Sequence, residues 1–216
     1  MDKRDNFLKK QVVTQIKDQR LVEKKHRQIV EAAGRLFSKK GYHATTLREI
    51  SAESGINLSY LYKYISSKDD ILYLFYRHLH SQWAHVYKKL SDSEDGNPID
   101  QLKDLIRSIL DIGFRFNDQM LTMYTESRHM EKDSLRAVLF EESRMIKNLE
   151  DLIERGVNQG YFKTKDGFLA ANIIQYLLAI YPIRGWNFRT CYSFPQFVEL
   201  VTDFILSAVG VKEADR

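Results

Sequence analysis

Cysteine is almost absent from this sequence, and proline and glycine are scarce. The 216 residues include one cysteine, Cys191, so no disulfide can form within the chain and a reducing compartment, the cytoplasm, is predicted. Three prolines and ten glycines are too few for an architecture built on many β-turns. The longest nearly apolar run, residues 168–183, is interrupted by Asn172, Gln175 and Pro182, so no membrane span is predicted.

Sequence motifs of enzymes and metal sites are also missing. The chain has no glycine-rich phosphate loop, no nucleophile elbow, no H-E-x-x-H and no cysteine pair. His78 and His80 lie two positions apart, so on a helix they point in different directions. We therefore expect no enzymatic activity, no cofactor and no bound metal. The charged residues at positions 2–5 are not followed by an apolar segment, which argues against a secretory signal.

Basic residues are concentrated at one end of the chain. The net charge is +4, but residues 1–68 carry 15 Lys and Arg against 7 Asp and Glu, whereas residues 69–216 carry 18 against 22. A basic end on an otherwise mildly acidic chain indicates a polyanionic partner, although a solvated basic tail gives the same bias. Residues 1–25 are interpreted as an arm that is disordered or loosely helical and rests on that polyanion.

Helical periodicity covers most of the chain, and no alternating β pattern occurs. Gly41 is expected to end the first helix as a left-handed cap, and Pro182 to break the penultimate one. The fold class is therefore all-α. Apolar spacing predicts helices at about 25–40, 67–90, 99–116, 135–156, 166–181 and 195–209, with a shorter helix at about 118–129.

Two short helices are predicted between the first two long ones. Thr46 and Glu49 form a capping box, in which each side chain bonds the other residue's backbone N–H. Gly55 ends this helix, and Asn57 caps the next, which is expected to run to about Tyr64. Two short helices joined by a tight glycine turn, behind a longer helix, form a helix-turn-helix.

The second short helix has one apolar and one polar side. In a helix-turn-helix this helix lies in the DNA major groove, and Ile56, Leu61 and Ile65 supply the apolar side that holds it. The competing interpretation is that its tyrosines are only the edge of an amphipathic core. The polar side carries hydroxyl, amide and ammonium groups suited to phosphates and base edges, and comprises Asn57, Ser59, Tyr60, Lys63 and Tyr64.

Residues 27–72 resemble the N-terminal DNA-binding domain of the TetR/AcrR family of bacterial repressors. The resemblance implies an N-terminal three-helix helix-turn-helix domain, at 26–70, and a helical-bundle ligand-binding and dimerisation domain, at 71–216. It also implies a homodimer that represses transcription from a palindromic operator in double-stranded DNA. The matching positions are Ala32-Ala33, Leu36-Phe37, Gly41-Tyr42, Thr45-Thr46, Ile50, Gly55, Leu61-Tyr62, Tyr64, Lys68 and Leu72.

The same resemblance implies which residues contact DNA. It implies that Thr46, Tyr62, Tyr64 and Lys68 contact the DNA backbone and that positions 57–60 and 63 contact bases. Leu58 and Tyr60 stand where the family usually has a polar and a small residue, so the operator sequence is not predicted. The full predicted set is Thr45, Thr46, Arg48, Asn57, Leu58, Ser59, Tyr60, Tyr62, Lys63, Tyr64 and Lys68.

The larger C-terminal part is expected to form the dimer and to bind a small hydrophobic effector. Residues 166–181 and 195–209 are the most apolar helices, and the corresponding family helices form a four-helix dimer interface; a monomer core is the alternative. Residues 123–162 and 179–188 resemble domains that respond to acyl-CoA thioesters. Apolar groups for the acyl chain and cations for the phosphates give the candidates Phe116, Met120, Tyr124, Arg128, Tyr176, Arg184 and Trp186.

Other interpretations of the C-terminal part stay open. Arg128 has Glu126 and Glu131 within reach on its own helix, so an ion pair there competes with an effector contact. A regulator of an efflux pump would sense hydrophobic drugs in the same fold, with acidic pocket residues such as Glu126 and Glu141. A helical interaction module that never binds DNA is the third alternative.

Overall fold

The structure is a computed structural model that describes residues 10–92 and 96–212. Its architecture is all-α, as predicted, with ten α-helices and no strand in these two ranges. No helix among the described residues has the length and apolar character needed to cross a bilayer. The helices are α1 (Gln19–Ala44), α2 (Leu47–Ser54), α3 (Leu58–Leu61), α4 (Lys68–Asp92), α5 (Pro98–Arg115), α6 (Asn117–Glu126), α7 (Lys132–Asn158), α8 (Gly167–Leu178), α9 (Ile180–Phe188) and α10 (Phe194–Ala208), with a 3₁₀ turn at Ser127–His129.

The first helix begins six residues earlier than predicted. Its start is fixed by the Asp18 carboxylate, which accepts hydrogen bonds from the backbone N–H groups of Arg20 and Leu21. Residues 19–25 therefore belong to α1 and not to an arm. Residues 1–9 of the predicted arm lie outside the described ranges.

Glycines and polar caps set the next boundaries. Gly41 interrupts α1 with φ 81° and ψ 163°, a positive φ that favours glycine but not the left-handed helical cap that was predicted. The Thr46 and Glu49 side chains form the predicted capping box at the start of α2. Gly55 ends α2 in the left-handed conformation, with φ 66° and ψ 18°. Asn57 caps α3 by accepting a hydrogen bond from a backbone N–H at 2.8 Å.

The chain packs into two compact units. The first comprises the described residues of Met1–Ser81 together with Asp118–Glu141, and the second those of Gln82–Asn117 together with Glu142–Arg216. Helices α4 and α7 contribute residues to both units. The predicted functional division at residue 70 stays a prediction, because these units follow packing alone.

Aliphatic and aromatic side chains form the core of the first unit. Helix α1 packs on α2 and α2 on α3, and Ile50 and Leu61 have no exposed surface. The Phe37 and Phe75 rings meet edge to face, with centroids 6.0 Å apart. Gly34 lies under the second ring, where a Cβ atom would approach its Cε2 atom to 2.9 Å. This packing holds α2 on α1, α3 on α2, and the first part of α4 against α1.

In the second unit α5 packs against α8, α9 and α10. Three rings meet there: the Phe114 centroid lies 4.1 Å from that of Phe194 and 5.7 Å from that of Tyr181. The predicted break in the penultimate helix occurs at Ala179, and Pro182 follows in the first turn of α9. Proline is tolerated there because the first-turn N–H groups have no partner within the helix.

Candidate DNA-binding surface

The start of α2 presents an exposed cap whose hydrogen bonds are satisfied. The Thr46 backbone N–H and hydroxyl donate to the Glu49 carboxylate at 2.9 and 2.8 Å, and the hydroxyl accepts from the Glu49 N–H at 3.3 Å. Lys40 Nζ binds the other carboxylate oxygen at 2.5 Å. The hydrogen bonds from Lys40 and Thr46 lower the pKa of Glu49 to about 2. Arg48 is exposed on the same turn, so this cap holds two predicted contact residues at the surface.

Helix α3 turns most of its predicted polar side outward. The Lys63 ammonium lies 5.3 Å from the centroid of the Tyr60 ring, which places a cation and a phenol next to each other. Such a pair offers both a charge for phosphate and a hydroxyl for a phosphate or base edge. Of the predicted contacts on this helix and its flanks, four are exposed and two half-buried: Asn57, Ser59, Tyr62 and Lys63, then Leu58 and Tyr60.

The predicted apolar side of α3 is buried. Ile56, Leu61 and Ile65 are each 3% exposed or less. The helix itself is shorter than predicted, since it ends at Leu61 and turns carry the chain on through Tyr64. A four-residue helix is not stable by itself, so the buried side chains determine how its polar side is presented.

Two predicted DNA contacts are instead interior residues. Thr45 has no exposed surface, and its hydroxyl donates to the Gly41 carbonyl at 2.8 Å. Tyr64 also has no exposed surface, and its hydroxyl donates to the Tyr60 hydroxyl at 2.9 Å. Both side chains position their exposed neighbours, so we leave them out of the contact surface.

Lys68 is the third residue whose environment differs from the prediction. Its ammonium donates to the carbonyl oxygens of Tyr42 and Thr45 at 2.9 and 3.0 Å and lies 4.2 Å from the Tyr42 ring centroid. Partial burial lowers the pKa of this lysine. Lys68 therefore caps the end of α1, and the predicted backbone contact would have to compete with these internal bonds.

Sequence reasoning missed a contact between the N-terminal segment and the end of α3. The Gln15 N–H and the Thr14 hydroxyl both donate to the Lys63 carbonyl, each at 2.9 Å. On the other side, His26 Nε2 hydrogen-bonds the Tyr64 carbonyl at 2.8 Å. These contacts cannot be predicted from the spacing of apolar or polar residues, because most of their atoms belong to the backbone.

The predicted effector residues divide between the two units. In the first unit, Met120 is buried, whereas Tyr124 and Arg128 are exposed. The Arg128 Nε donates to His129 Nε2 at 3.2 Å, and the expected ion pair with a neighbouring glutamate is not formed by this arginine. In the second unit, Phe116 is half-buried and three residues are exposed: Tyr176, Arg184 and Trp186. Neither unit alone contains the whole predicted set.

A cleft of about 440 Å³ in the second unit lies between the second half of α4 and α5. Its apolar wall includes Leu90 and Ile112, and its cations include Lys89, Arg107 and Arg115. None of the seven predicted effector residues lines it. Among the described residues, no group of three or more His, Cys, Asp or Glu side chains is placed to hold a metal ion.

Helices α8 and α10 leave large apolar side chains exposed. On α8, Leu169, Ile173 and Tyr176 repeat at helical spacing and are 51–66% exposed. On α10, Leu200 and Phe204 lie one turn apart and are 49% and 62% exposed. Tyr176, predicted to bind the effector, thus belongs to an outward apolar row, and we call these five residues the apolar stripes.

Comparison with known families explains the architecture. Residues 29–73 match the family model of bacterial regulatory proteins of the tetR family, and residues 95–179 match that of the tetracyclin repressor-like C-terminal domain. The chain belongs to the TetR family. It is accordingly a DNA-binding transcriptional repressor with a ligand-responsive C-terminal part, and not an enzyme. Membership of the TetR family also removes the alternative of a helical module that never binds DNA.

Individual relatives cover nearly the whole chain. The HTH-type transcriptional regulator HbdR of Aromatoleum sp. (strain CIB) is 24% identical over 205 residues, which cover 93% of this chain and 88% of HbdR. A tetR-family regulatory protein from Rhodococcus RHA1 has a TM-score of 0.77 at 22% identity, covering 88% of this chain and 99% of its own. AibR, solved in complex with isovaleryl coenzyme A and operator DNA, has a TM-score of 0.70 at 18% identity, covering 86% and 97%. These likenesses confirm the predicted all-α fold of a TetR regulator.

Proposed function

We propose that this TetR-family repressor binds a palindromic operator as a homodimer and is released by a small hydrophobic effector. The observation that carries the proposal is the exposed polar side of α3, where Ser59, Tyr62 and Lys63 face outward from a buried apolar side. The α2 cap adds Thr46 and Arg48 to the same contact set. Phosphate contacts from these groups would position the helix, and base-edge contacts would supply specificity.

The apolar stripes support dimerisation. Large exposed apolar rows on a monomer mark interaction sites, and Ile173 on α8 and Phe204 on α10 are each more than half exposed. A second copy of this chain is the occupant that a palindromic site calls for, because each helix-turn-helix reads only one half-site. We therefore propose that the subunit interface lies on α8 and α10.

An acyl-CoA thioester is the effector class we propose. Support comes from AibR, whose solved complex contains isovaleryl coenzyme A, and from the amphipathic character of such a ligand. An acyl chain requires apolar side chains and the phosphates require cations. The first unit offers Met120 and Arg128 for these roles, and the second unit offers Phe116 and Arg184. Release from DNA requires that the effector prefer the non-binding state, by about 10⁴-fold for a complete switch.

The transmission step follows from the course of α4. This helix begins at Lys68, directly after the turns that follow α3, and its residues continue into the second unit. We propose that effector binding tilts α4 and so separates the two DNA-reading heads of the dimer. Only an effector with different affinities for the two arrangements can cause this change.

Operator binding is tested with labelled duplexes from the region upstream of the gene, at several salt concentrations. We expect affinity to fall steeply with salt, and Lys63→Ala to weaken binding and reduce the salt slope by about 1. Lys165→Ala, an exposed lysine of the second unit, is the matched control and should leave both quantities unchanged. Salt-independent binding would contradict the proposed surface.

Effector class is tested by adding acyl-CoAs of increasing chain length to the preformed complex. Release by one chain length, and not by free coenzyme A, supports a thioester effector. Hydrophobic drugs are added in a parallel series, because a drug-sensing regulator would respond to those instead. Release by no acyl-CoA removes this effector class and leaves operator binding as proposed.

A further inference from the structure

Residues 10–18, which we call the strap, cross the end of the DNA-reading helix before the chain enters α1. The strap is held along its length and is not a free segment. Its contacts all lie within the first unit. Three sets of hydrogen bonds anchor the strap. In chain order they are made by the Lys10 ammonium, by the Thr14 hydroxyl with the Gln15 N–H, and by the Asp18 carboxylate.

Lys10 is bound to the start of α4 in a largely buried cluster. Its ammonium lies 2.7 Å from Asp69 Oδ2 and 3.0 Å from Asp70 Oδ1, and it donates to the Ser134 hydroxyl at 2.7 Å. The Lys10 side chain is 18% exposed, and the Asp69 and Asp70 side chains are 4% and 7% exposed. Burial opposes the charge on Lys10, but its hydrogen bonds to the two carboxylates outweigh that effect and raise its pKa.

Asp69 extends the cluster to the start of α7. Its carboxylate accepts hydrogen bonds from the Ser134 hydroxyl and, at 2.8 Å, from the Glu131 N–H. Without Lys10, two nearly buried carboxylates would face each other with no cation between them, which is costly in a poorly solvated site. Lys10 therefore joins the strap to the starts of both α4 and α7.

The middle anchor acts on the DNA-reading helix directly. The Lys63 carbonyl accepts from both Thr14 and Gln15, and the side chain of Lys63 belongs to the exposed polar side. Because α3 has only four helical residues and ends at Leu61, the turn after it, which carries Lys63, depends on such tertiary bonds to keep its direction. Displacing the strap would leave the Lys63 carbonyl without these two donors.

We propose that Lys10 is a positioning residue for operator recognition: it fixes the strap, and the strap fixes the end of α3. The Lys10 ammonium is bound to Asp69, Asp70 and Ser134, so its proposed effect on the operator passes through the strap and Lys63. The inference rests on the proposed operator binding. It adds a dependence on a residue 53 positions upstream of the one it orients.

The test compares Lys10→Met with Lys17→Met in the full chain. Lys17 lies in the same strap, is exposed, and loses the same charge on substitution. Operator binding is measured at several salt concentrations with duplexes from the upstream region. We expect Lys10→Met to weaken binding about tenfold with an unchanged salt slope, since no phosphate contact is removed. Equal binding by Lys10→Met and the native chain overturns the inference, and so does a reduced salt slope.

Hydrogen exchange provides a readout that does not depend on the operator. In Lys10→Met, the amides of Gln15 and of residues 60–65 should exchange faster than in Lys17→Met. Unchanged exchange in Lys10→Met overturns the inference even if operator binding falls. A third outcome is that the native chain binds no operator while these amides respond as expected. That result would overturn the proposed function but would support the structural link from Lys10 through the strap to Lys63.

A second variant covers the case in which Lys10→Met does not fold. Thr14→Val keeps the buried ion cluster and removes the hydroxyl that donates to the Lys63 carbonyl and accepts from the Ile16 N–H. We expect about threefold weaker operator binding, an unchanged salt slope and the same unfolding temperature as the native chain. Native affinity in Thr14→Val overturns the role of the strap.

Discussion

The two compact units place their apolar side chains differently. In the first unit, the apolar side of α3, which includes Leu61, is buried, and the polar side is mostly exposed to solvent. In the second unit, α8 and α10 leave Ile173 and Phe204 more than half exposed. A surface of fixed polar groups suits a charged partner such as DNA, whereas an exposed apolar surface is completed by another protein surface. The difference agrees with the proposal that the first unit meets DNA and that the second unit meets another copy of the chain.

Core truncation in each unit tests this division most strongly. Leu61→Ala and Leu152→Ala remove side chains that are 0% and 2% exposed, and each should lower the free energy of unfolding by about 2–5 kcal/mol. Only Leu61→Ala should also abolish operator binding, because Leu61 holds the DNA-reading helix. Urea unfolding and fluorescence anisotropy on folded protein measure the two effects. Equal loss of operator binding in both variants would show that the units are not functionally distinct.

Charge on the apolar stripes should separate the subunits. Phe204→Asp places a carboxylate where apolar contact is proposed, so sedimentation should show a monomer and operator affinity should fall about tenfold or more. Phe204→Leu keeps the surface apolar and serves as the control. A dimer that persists in Phe204→Asp would move the interface to another part of the chain.

The α2 cap offers a smaller test within the first unit. Thr46→Ala removes the hydroxyl that caps α2 and should cost about 1 kcal/mol of unfolding free energy. Ser207→Ala is the matched control, since its exposed hydroxyl bonds only a carbonyl within α10. That variant should stay within about 0.5 kcal/mol of the native chain. Equal destabilisation by both changes would mean that the cap has no special role.

Acid titration gives the smallest expected effect. The pKa of Glu49 is lowered from 4.5 to about 2, so its contribution to stability is present above pH 4.5 and is lost as the pH falls toward 2. Glu49→Gln should therefore flatten the dependence of the unfolding temperature on pH in that window. Glu199→Gln, on the exposed side of α10, is the control. An unchanged pH profile in Glu49→Gln would contradict the lowered pKa.

Local chemistry made the first unit predictable. Thr46, Gly55 and Asn57 act through backbone groups within four residues of themselves, so their roles are visible in the sequence. The roles of Lys68 and Tyr64 were harder to predict. Lys68 donates to a carbonyl near the end of α1, and Tyr64 donates to a hydroxyl on α3. A side chain that suits DNA also suits an interior hydrogen bond, and only the packing decides between the two.

The second unit shows the corresponding limit for apolar residues. Tyr176 and Trp186 were predicted to bind the effector, and both are 66% exposed. Periodicity reports that a helix has an apolar side, but an effector, a core and a second subunit all provide apolar surroundings. The helices α8 and α10 were therefore predictable, whereas the occupant of their outer sides was not.

The hydrogen bond between the hydroxyls of Tyr64 and Tyr60 bears on what the more exposed Tyr60 can recognise. Since the Tyr64 hydroxyl donates to the Tyr60 oxygen, the proton of Tyr60 is not used in that bond. In the proposed operator complex, that proton suits an acceptor such as guanine O6, a purine N7 or thymine O4. Tyr60→Phe should then relax base preference at one operator position, and it also leaves the buried Tyr64 hydroxyl without this acceptor.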